Sequence, residues 1–387
     1  MTNNAPNAAP TPATTPAPAT PPVAARIASR ISHHGRTVED DYAWLRDAGY
    51  PNISDPAILA HLHAENAWFD AAMAPQAERI ETLFQEMKGR IKEDDSSVPQ
   101  REGAFLYWRE FAIGAQYRTW WRRPVDGGAA QCILDEPALA HGHDYFRLGA
   151  LAVSPDGRLL AYATDTDGSE RFTIYVRDLE TGALLDDRIA DMLSAIAWTG
   201  DSRGFLYGLA NAQWRTDNAR LHWIGTNPAT DILLAQEDDE GFRMDVGVTQ
   251  SERFLVITSG DHETSEIRLI PADAPLTAPL LVAPRKKGVE YAVEERAGTL
   301  FIHTNDNHPN FRLATATLDA PADWHALIAG SDDFYMTDVT TFADFYVVEG
   351  REAGLDQVEI RYYDDPSRVE RIAFPESSYD AGLGENP

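Results

Sequence analysis

The chain has 387 residues, 61 of them acidic and 33 basic, for a net charge of −28, and 43% are hydrophobic. That suits one large packed domain or two ordinary ones. The acidic surplus argues against nucleic acid and against anionic membrane surfaces, both of which call for Lys and Arg. It favours cationic ligands, although an acidic surface also serves solubility alone. A single cysteine, Cys132, excludes an intrachain disulfide. It fits a reducing, cytoplasmic location, and a periplasm fits it too. No run of eighteen apolar residues is present, so no spanning segment is expected.

Residues 3–25, NNAPNAAPTPATTPAPATPPVAA, lack the basic start and unbroken apolar core of a secretory signal. They read, with the two residues before them, as a disordered, polyproline-like arm over 1–25. A helical segment is expected within 26–97. Ser54 or Asp55 caps it, Pro56 sits in its first turn, and Ile58, Leu62, Phe69 and Met73 recur at helical spacing. Pro75 ends that helix. A second one carries Ile80, Leu83, Phe84 and Met87 and stops at Gly89.

From residue 98 the texture changes to short runs of Val, Ile, Tyr, Phe and Trp cut by Pro, Gly and Asp-Gly. The runs fall into groups that begin near residues 98, 152, 195, 246, 292 and 339. Each group repeats one plan: a short strand, a polar turn such as SPDG (154–157), an apolar strand such as LLAYAT or FLVITS, a charged loop, then an alternating strand such as FTIYVRDL or SEIRLIP. The period of roughly 45–50 residues is that of a four-stranded propeller blade. The fold class is therefore mainly β, a propeller of six blades over 98–387 preceded by a helical segment.

No catalytic residue is legible. G-x-S-x-G is absent, and Gly168-Ser169 and Gly330-Ser331 lie in loops without the second glycine. No phosphate-binding glycine motif occurs, and no cofactor is expected. DTDGSE (165–170) hints at calcium, but Ala163 and Ile174 stand where an EF-hand loop needs acids. His61 and His63 are two apart, a poor ligand pair on a helix. His141 and His143 have no further ligands near them in sequence, and Glu93-Asp94-Asp95 reads as a solvated loop. No metal site is expected.

Three stretches near the start, HHGRTVEDDYAWLRD (33–47), AENAWFDAAMAP (64–75) and EMKGRIKEDDSSVP (86–99), strongly resemble the N-terminal region of oligopeptidase B, of the prolyl oligopeptidase family of serine peptidases. The resemblance continues through GHDYFRLG (142–149), DSRGFLYG (201–208), TQSERFLVITSGDHETSE (249–266) and FPESSYDAGLGENP (374–387), and covers residues 26 to 387. It implies a seven-bladed plan set over an α/β-hydrolase domain that carries the Ser, Asp and His of the triad, so the catalytic positions have no counterparts here. It further implies short basic peptides as substrates, cut after Lys or Arg, with the propeller restricting access.

In that pattern GENP leads into a seventh blade. The expectation is a substrate-gating propeller cut short by truncation or a split gene, with the hydrolase domain as its partner in cis or in trans. The alternatives are a stand-alone binding propeller and one half of a two-chain peptidase. Two structural expectations follow. Blades one and six lack each other as neighbours, and the apolar face of Leu62, Phe69 and Met73 is left uncovered.

Overall fold

The strand-turn-strand rhythm becomes six four-stranded antiparallel sheets in the computed structural model, which describes residues 20–50 and 52–384. The blades occupy residues 100–135, 147–192, 197–236, 243–281, 291–328 and 334–371, and in each the strands lie side by side in sequence order. Blades two and six start earlier than the repeat predicts, at Arg147 and Phe334. A register shift between Leu148 and Ala150 leaves Gly149 as a bulge, which hides the alternation of Arg147–Val153. A side chain at 149 would run into the Phe172 ring.

Side-chain burial follows strand position. The second strand of blade two, Leu159–Asp165, is buried almost throughout because it is central and covered on both faces. The third strand, Phe172–Asp178, alternates between buried and half-buried positions. The turns between first and second strands share one device. The amide N–H groups of Ser154, Thr199 and Thr249 donate to the carbonyls of Leu159, Gly204 and Phe254 at 2.8–2.9 Å. The fourth residue of each turn takes positive φ: Gly157 at 71°, Ser202 at 60° and Glu252 at 55°. Glycine is the unstrained choice there, and at 157 a larger residue would also press on Phe105.

Five clusters of buried apolar side chains hold the propeller together, one at each junction of consecutive blades. Ile133 and Leu134 meet Leu160 and Tyr162 between blades one and two. Ile174 and Val176 meet Trp198 and Phe205 between two and three. Leu206 and Leu221 meet Leu255 and Ile257 between three and four. Leu269 meets Val293 and Leu300, and Phe301 and Leu313 meet Met336 and Val348, at the last two junctions. None of the five clusters joins blade six to blade one.

Polar ties cross the same seams. Arg122 donates to the Gly157 carbonyl, and the Asp156 amide donates to Ser202 Oγ at 3.0 Å. The Gly200 amide reaches the Ala272 carbonyl at 2.8 Å, the Gln250 amide reaches Glu294 at 2.7 Å, and Arg296 reaches the Ala343 carbonyl. The most buried tie is His222 of blade three, 0% exposed, which lies 2.9 Å from Asp187 of blade two and 2.8 Å from Asp231. Tyr207 donates to Asp231 at 2.7 Å, and the Gly225 amide donates to Asp187. Burial works to lower the imidazole pKa, but the hydrogen bonds to the two carboxylates outweigh it and hold it above the usual histidine value.

Residue contacts divide the chain after Lys92. The preceding unit carries a hairpin, Arg30–His33 with Arg36–Glu39, and two helices, α1 (Pro56–Met73) and α2 (Ala77–Lys88). The expected cap is Asp55, whose carboxylate accepts from the Ala57 and Ile58 amides, with Pro56 behind it. Pro75 lies in a single 3-10 turn, Ala74–Gln76, and Gly89 ends α2. Leu62, Phe69 and Met73 are 40%, 57% and 37% exposed, and Leu83, Phe84 and Met87 on α2 are exposed as well. This uncovered apolar face is the one the sequence leads one to expect. The greater part of the Ala/Pro/Thr arm, residues 1–19, lies outside the described residues.

Two tests follow. His222→Leu strands two buried carboxylates and should cost about 3–5 kcal/mol in urea unfolding. Because the folded pKa of His222 is raised, its contribution is complete below the unfolded histidine pKa and fades as pH climbs through the folded one. Unfolding midpoints of the unsubstituted chain and His222→Leu should therefore converge toward alkaline pH. In the helical unit, Leu83→Ser with Phe84→Ser should reduce binding of a hydrophobic dye while leaving the melting temperature within about 1 °C, since exposed positions contribute little to stability.

Candidate functional site

The first strands of blades one to four border a cleft of about 800 Å³. Its floor is the first strand of blade two, Leu148 to Val153, and one wall is a single face of blade one. Strand alternation builds that wall. Tyr107 and Arg109 project to one side of Phe105–Glu110, and the paired positions Gln100 and Trp120 add to the same side.

The cleft has a charged group at each end. Glu102 stands at the hairpin end of the wall and Glu252, in the turn of blade four, close by. Burial, and then the negative charge of Glu252, push the Glu102 carboxyl above the usual glutamate range. At the opposite end, Arg109 lies over the Trp120 ring, 5.7 Å from its centroid. Arg118 lies over the same ring at 5.5 Å but is paired with Glu136, whose carboxylate also accepts from Trp120 Nε1 at 2.7 Å. Trp121 lines the cleft beside them and stacks on Trp108.

A second set of acids sits on the first strands of blades five and six. Glu294 accepts from the Gln250 amide, yet burial, reinforced by Asp338 and Glu295, pushes its pKa up to about 7. Its neighbour Glu295 is fully buried and satisfied by Arg253 at 2.8 Å and Ser251 at 2.8 Å. Both adjacent glutamates thus tie the seam between blades four and five, Glu295 as the partner of Arg253 and Glu294 as an acceptor of raised proton affinity.

The residues singled out in the sequence are scattered. Asp165 of DTDGSE is buried, and its carboxylate accepts from the amides of Asp167, Gly168 and Glu170, so the loop is closed by its own backbone. His61 faces Glu65 at 3.6 Å and the Trp44 ring, while His63 is exposed. His141 and His143 are exposed at the end of a short helix, Glu136–Ala140. Asp94 and Asp95 are exposed. Among the described residues, no three His, Cys, Asp or Glu are placed to hold a metal ion. Nor does any serine, threonine or cysteine there hydrogen-bond a histidine ring. Ser169 caps the Arg171 amide and Ser331 the Asp333 amide, and Cys132 leans on the Leu134 carbonyl. The cleft residues were missed in the sequence because Glu102, Arg109 and Glu252 belong to no motif; only the Trp-Trp pair 120–121 marks the region as unusual.

Against known proteins, residues 22–383 match the family described as prolyl oligopeptidase, N-terminal beta-propeller domain. The chain belongs to that family of propeller domains. Among its relatives is dipeptidyl aminopeptidase BI of Pseudoxanthomonas mexicana, 34% identical over 374 residues that cover 92% of this chain and 51% of the relative. Protease 2 of Moraxella lacunata is 28% identical, with 89% and 50% covered. Oligopeptidase B from Leishmania major superposes with a TM-score of 0.86 at 26% identity, over 93% of this chain and 54% of that one. Oligopeptidase B from Trypanosoma brucei, with covalently bound antipain in a closed form, gives 0.85 at 28%, over 92% and 54%. The chain spans about half the length of the curated relatives it matches.

The raised pKa of Glu294 sets a pH test. Its folded state holds a proton that the unfolded state has lost between the ordinary glutamate pKa and about 7, so it draws down stability as pH rises through that interval. Glu294→Gln should raise unfolding stability at pH 8 by up to about 3 kcal/mol and leave it little changed at pH 4.5.

Proposed function

We propose that this chain is the substrate-gating propeller of an oligopeptidase B-like serine endopeptidase that cleaves short peptides after Lys or Arg. The organisation we assign to it is an arm over 1–25, a helical segment over 26–97 and a propeller over 98–387. The α/β-hydrolase domain, in cis or in trans, supplies nucleophile, base and oxyanion hole. The observation that carries this reading is the match of nearly the whole chain, at 26–28% identity and TM-scores of 0.85–0.86, to one half of two oligopeptidases B.

The chemistry of the chain supports the same division of labour. A serine hydroxyl attacks a carbonyl only when a base takes its proton, and the described serines bond to backbone groups or carboxylates, as Ser169, Ser331, Ser251 and Ser259 do, with none on an imidazole. Unpaired carboxylates at the cleft and a net charge of −28 favour cationic peptides over anionic ones. The exposed apolar face of α1 and α2 is of the kind that a neighbouring domain covers.

The test is hydrolysis. The purified chain should not cleave a fluorogenic dibasic peptide, and a fluorophosphonate probe should label none of its serines. Co-expression with a hydrolase half from a relative of the family should restore cleavage after Arg. Labelling of a serine in the chain alone would overturn the assignment of the nucleophile to another domain.

A further inference from the structure

We propose that the cleft bordered by blades one to four binds a short peptide by both of its ends, the cationic amino end at Glu102 and Glu252 and the free C-terminal carboxylate at Arg109.

The argument begins with what is left unpaired. Among the described residues, no cation lies within ion-pair distance of Glu102 or Glu252, and no carboxylate lies within that distance of Arg109. All three are open to solvent and so free to meet a ligand, whereas carboxylates placed deeper in the chain are matched: Glu136 by Arg118, Glu295 by Arg253, and Glu237 and Glu266 by Arg285. Two like charges brought together beside a cavity, with an opposite charge alone at its far end, form a field that a dipolar ion fits in one direction only.

Length comes next. Glu102 pairs with Phe105 across the hairpin, and Arg109 lies four positions further along the same strand. At a rise of about 3.3 Å per residue the two ends are about 13 Å apart. An extended peptide spans about 3.3–3.6 Å per residue, so three or four residues bridge the gap. The volume of about 800 Å³ is ample for that size of ligand.

Between the ends the wall is aromatic. Tyr107 and Trp121 line it, Trp120 lies beneath the guanidiniums of Arg109 and Arg118, and the half-buried Leu148 and Leu151 form the floor. The guanidinium of Arg109, already held over Trp120, is planar and able to grip a carboxylate with two parallel N–H bonds. Recognition of a free carboxylate means that the site selects peptides already cut, or short ones, over internal segments of a long chain. The inference shares with the proposed function only the class of ligand, and the two fail separately.

Binding to the purified chain, read by calorimetry and by tryptophan fluorescence, tests it without any hydrolysis. The probes are Lys-Ala-Ala-Phe as the free acid, the same peptide as its C-terminal amide, and Nα-acetyl-Gln-Ala-Ala-Phe as the free acid. The free acid with Lys first should bind about tenfold or more tighter than either of the others. Arg109→Gln should erase the preference for acid over amide and keep the preference for Lys. Glu102→Gln with Glu252→Gln should do the reverse. Circular dichroism melts establish that each variant is folded, and the preference in the unsubstituted chain is decisive even where a variant fails to fold. Equal affinity for the three probes, no binding of any, or preferences that survive both sets of substitutions would each overturn the proposal. None of these outcomes bears on whether a hydrolase half completes a peptidase.

Discussion

Each blade is a four-stranded sheet with two apolar faces, and water leaves those faces only where another blade lies across them. Burial of apolar surface is worth roughly 25 cal/mol per Å², and it is collected here at five seams. Everything else is arranged around that constraint. The second strands are apolar on both sides because they are sandwiched, as Leu159–Asp165 shows. The turns that connect first to second strands carry the polar groups, and they reach sideways to the next blade: Asp156 to Ser202, Gln250 to Glu294. A blade is thus tied at its rim by hydrogen bonds and along its face by packing, and the two sets of contacts fix the same register between neighbours.

The acidic surplus takes a particular form under this arrangement. Glu295, Asp187 and Asp231 are buried and satisfied, and their partners Arg253 and His222 make each a stitch across or beside a seam. Glu102, Glu252 and Glu294 lie instead on or near the first strands, where curvature brings like charges from different blades together. Their elevated proton affinities, where they occur, are consequences of that convergence and of burial. Acids of the first kind hold the fold together. Of the second kind, Glu102 and Glu252 have no cation beside them among the described residues, which makes them the natural contacts for one brought from outside.

Much of this was readable locally. The Asp55 cap, the Pro56 start and the break at Pro75 depend on residues a few positions apart, and the chain folds there as those residues dictate. The blade period was readable because strand alternation and turn chemistry are also short-range. It blurred at the starts of blades two and six, where bulges after Leu148 and Met336 shift the register and exchange the faces. The site was a different matter. DTDGSE hints at calcium only by composition, because an acid-rich turn reads alike whether it holds a cation or, as with Asp165, its own amides.

Residue order alone determined the helices of the N-terminal segment, the six-fold repetition of one strand plan and, through long stretches of resemblance, the family. Those properties follow from periods of two and 3.6 residues and from turn residues that act on their neighbours. Only the tertiary structure decided that His222 would stand between Asp187 and Asp231, that Glu102 would come near Glu252 from three blades away, and that the first strands of four blades would border a cleft beside Arg109. The reason is physical: a charge has no sequence range, and which charges come to face one another depends on how sheets stack, which no single strand encodes.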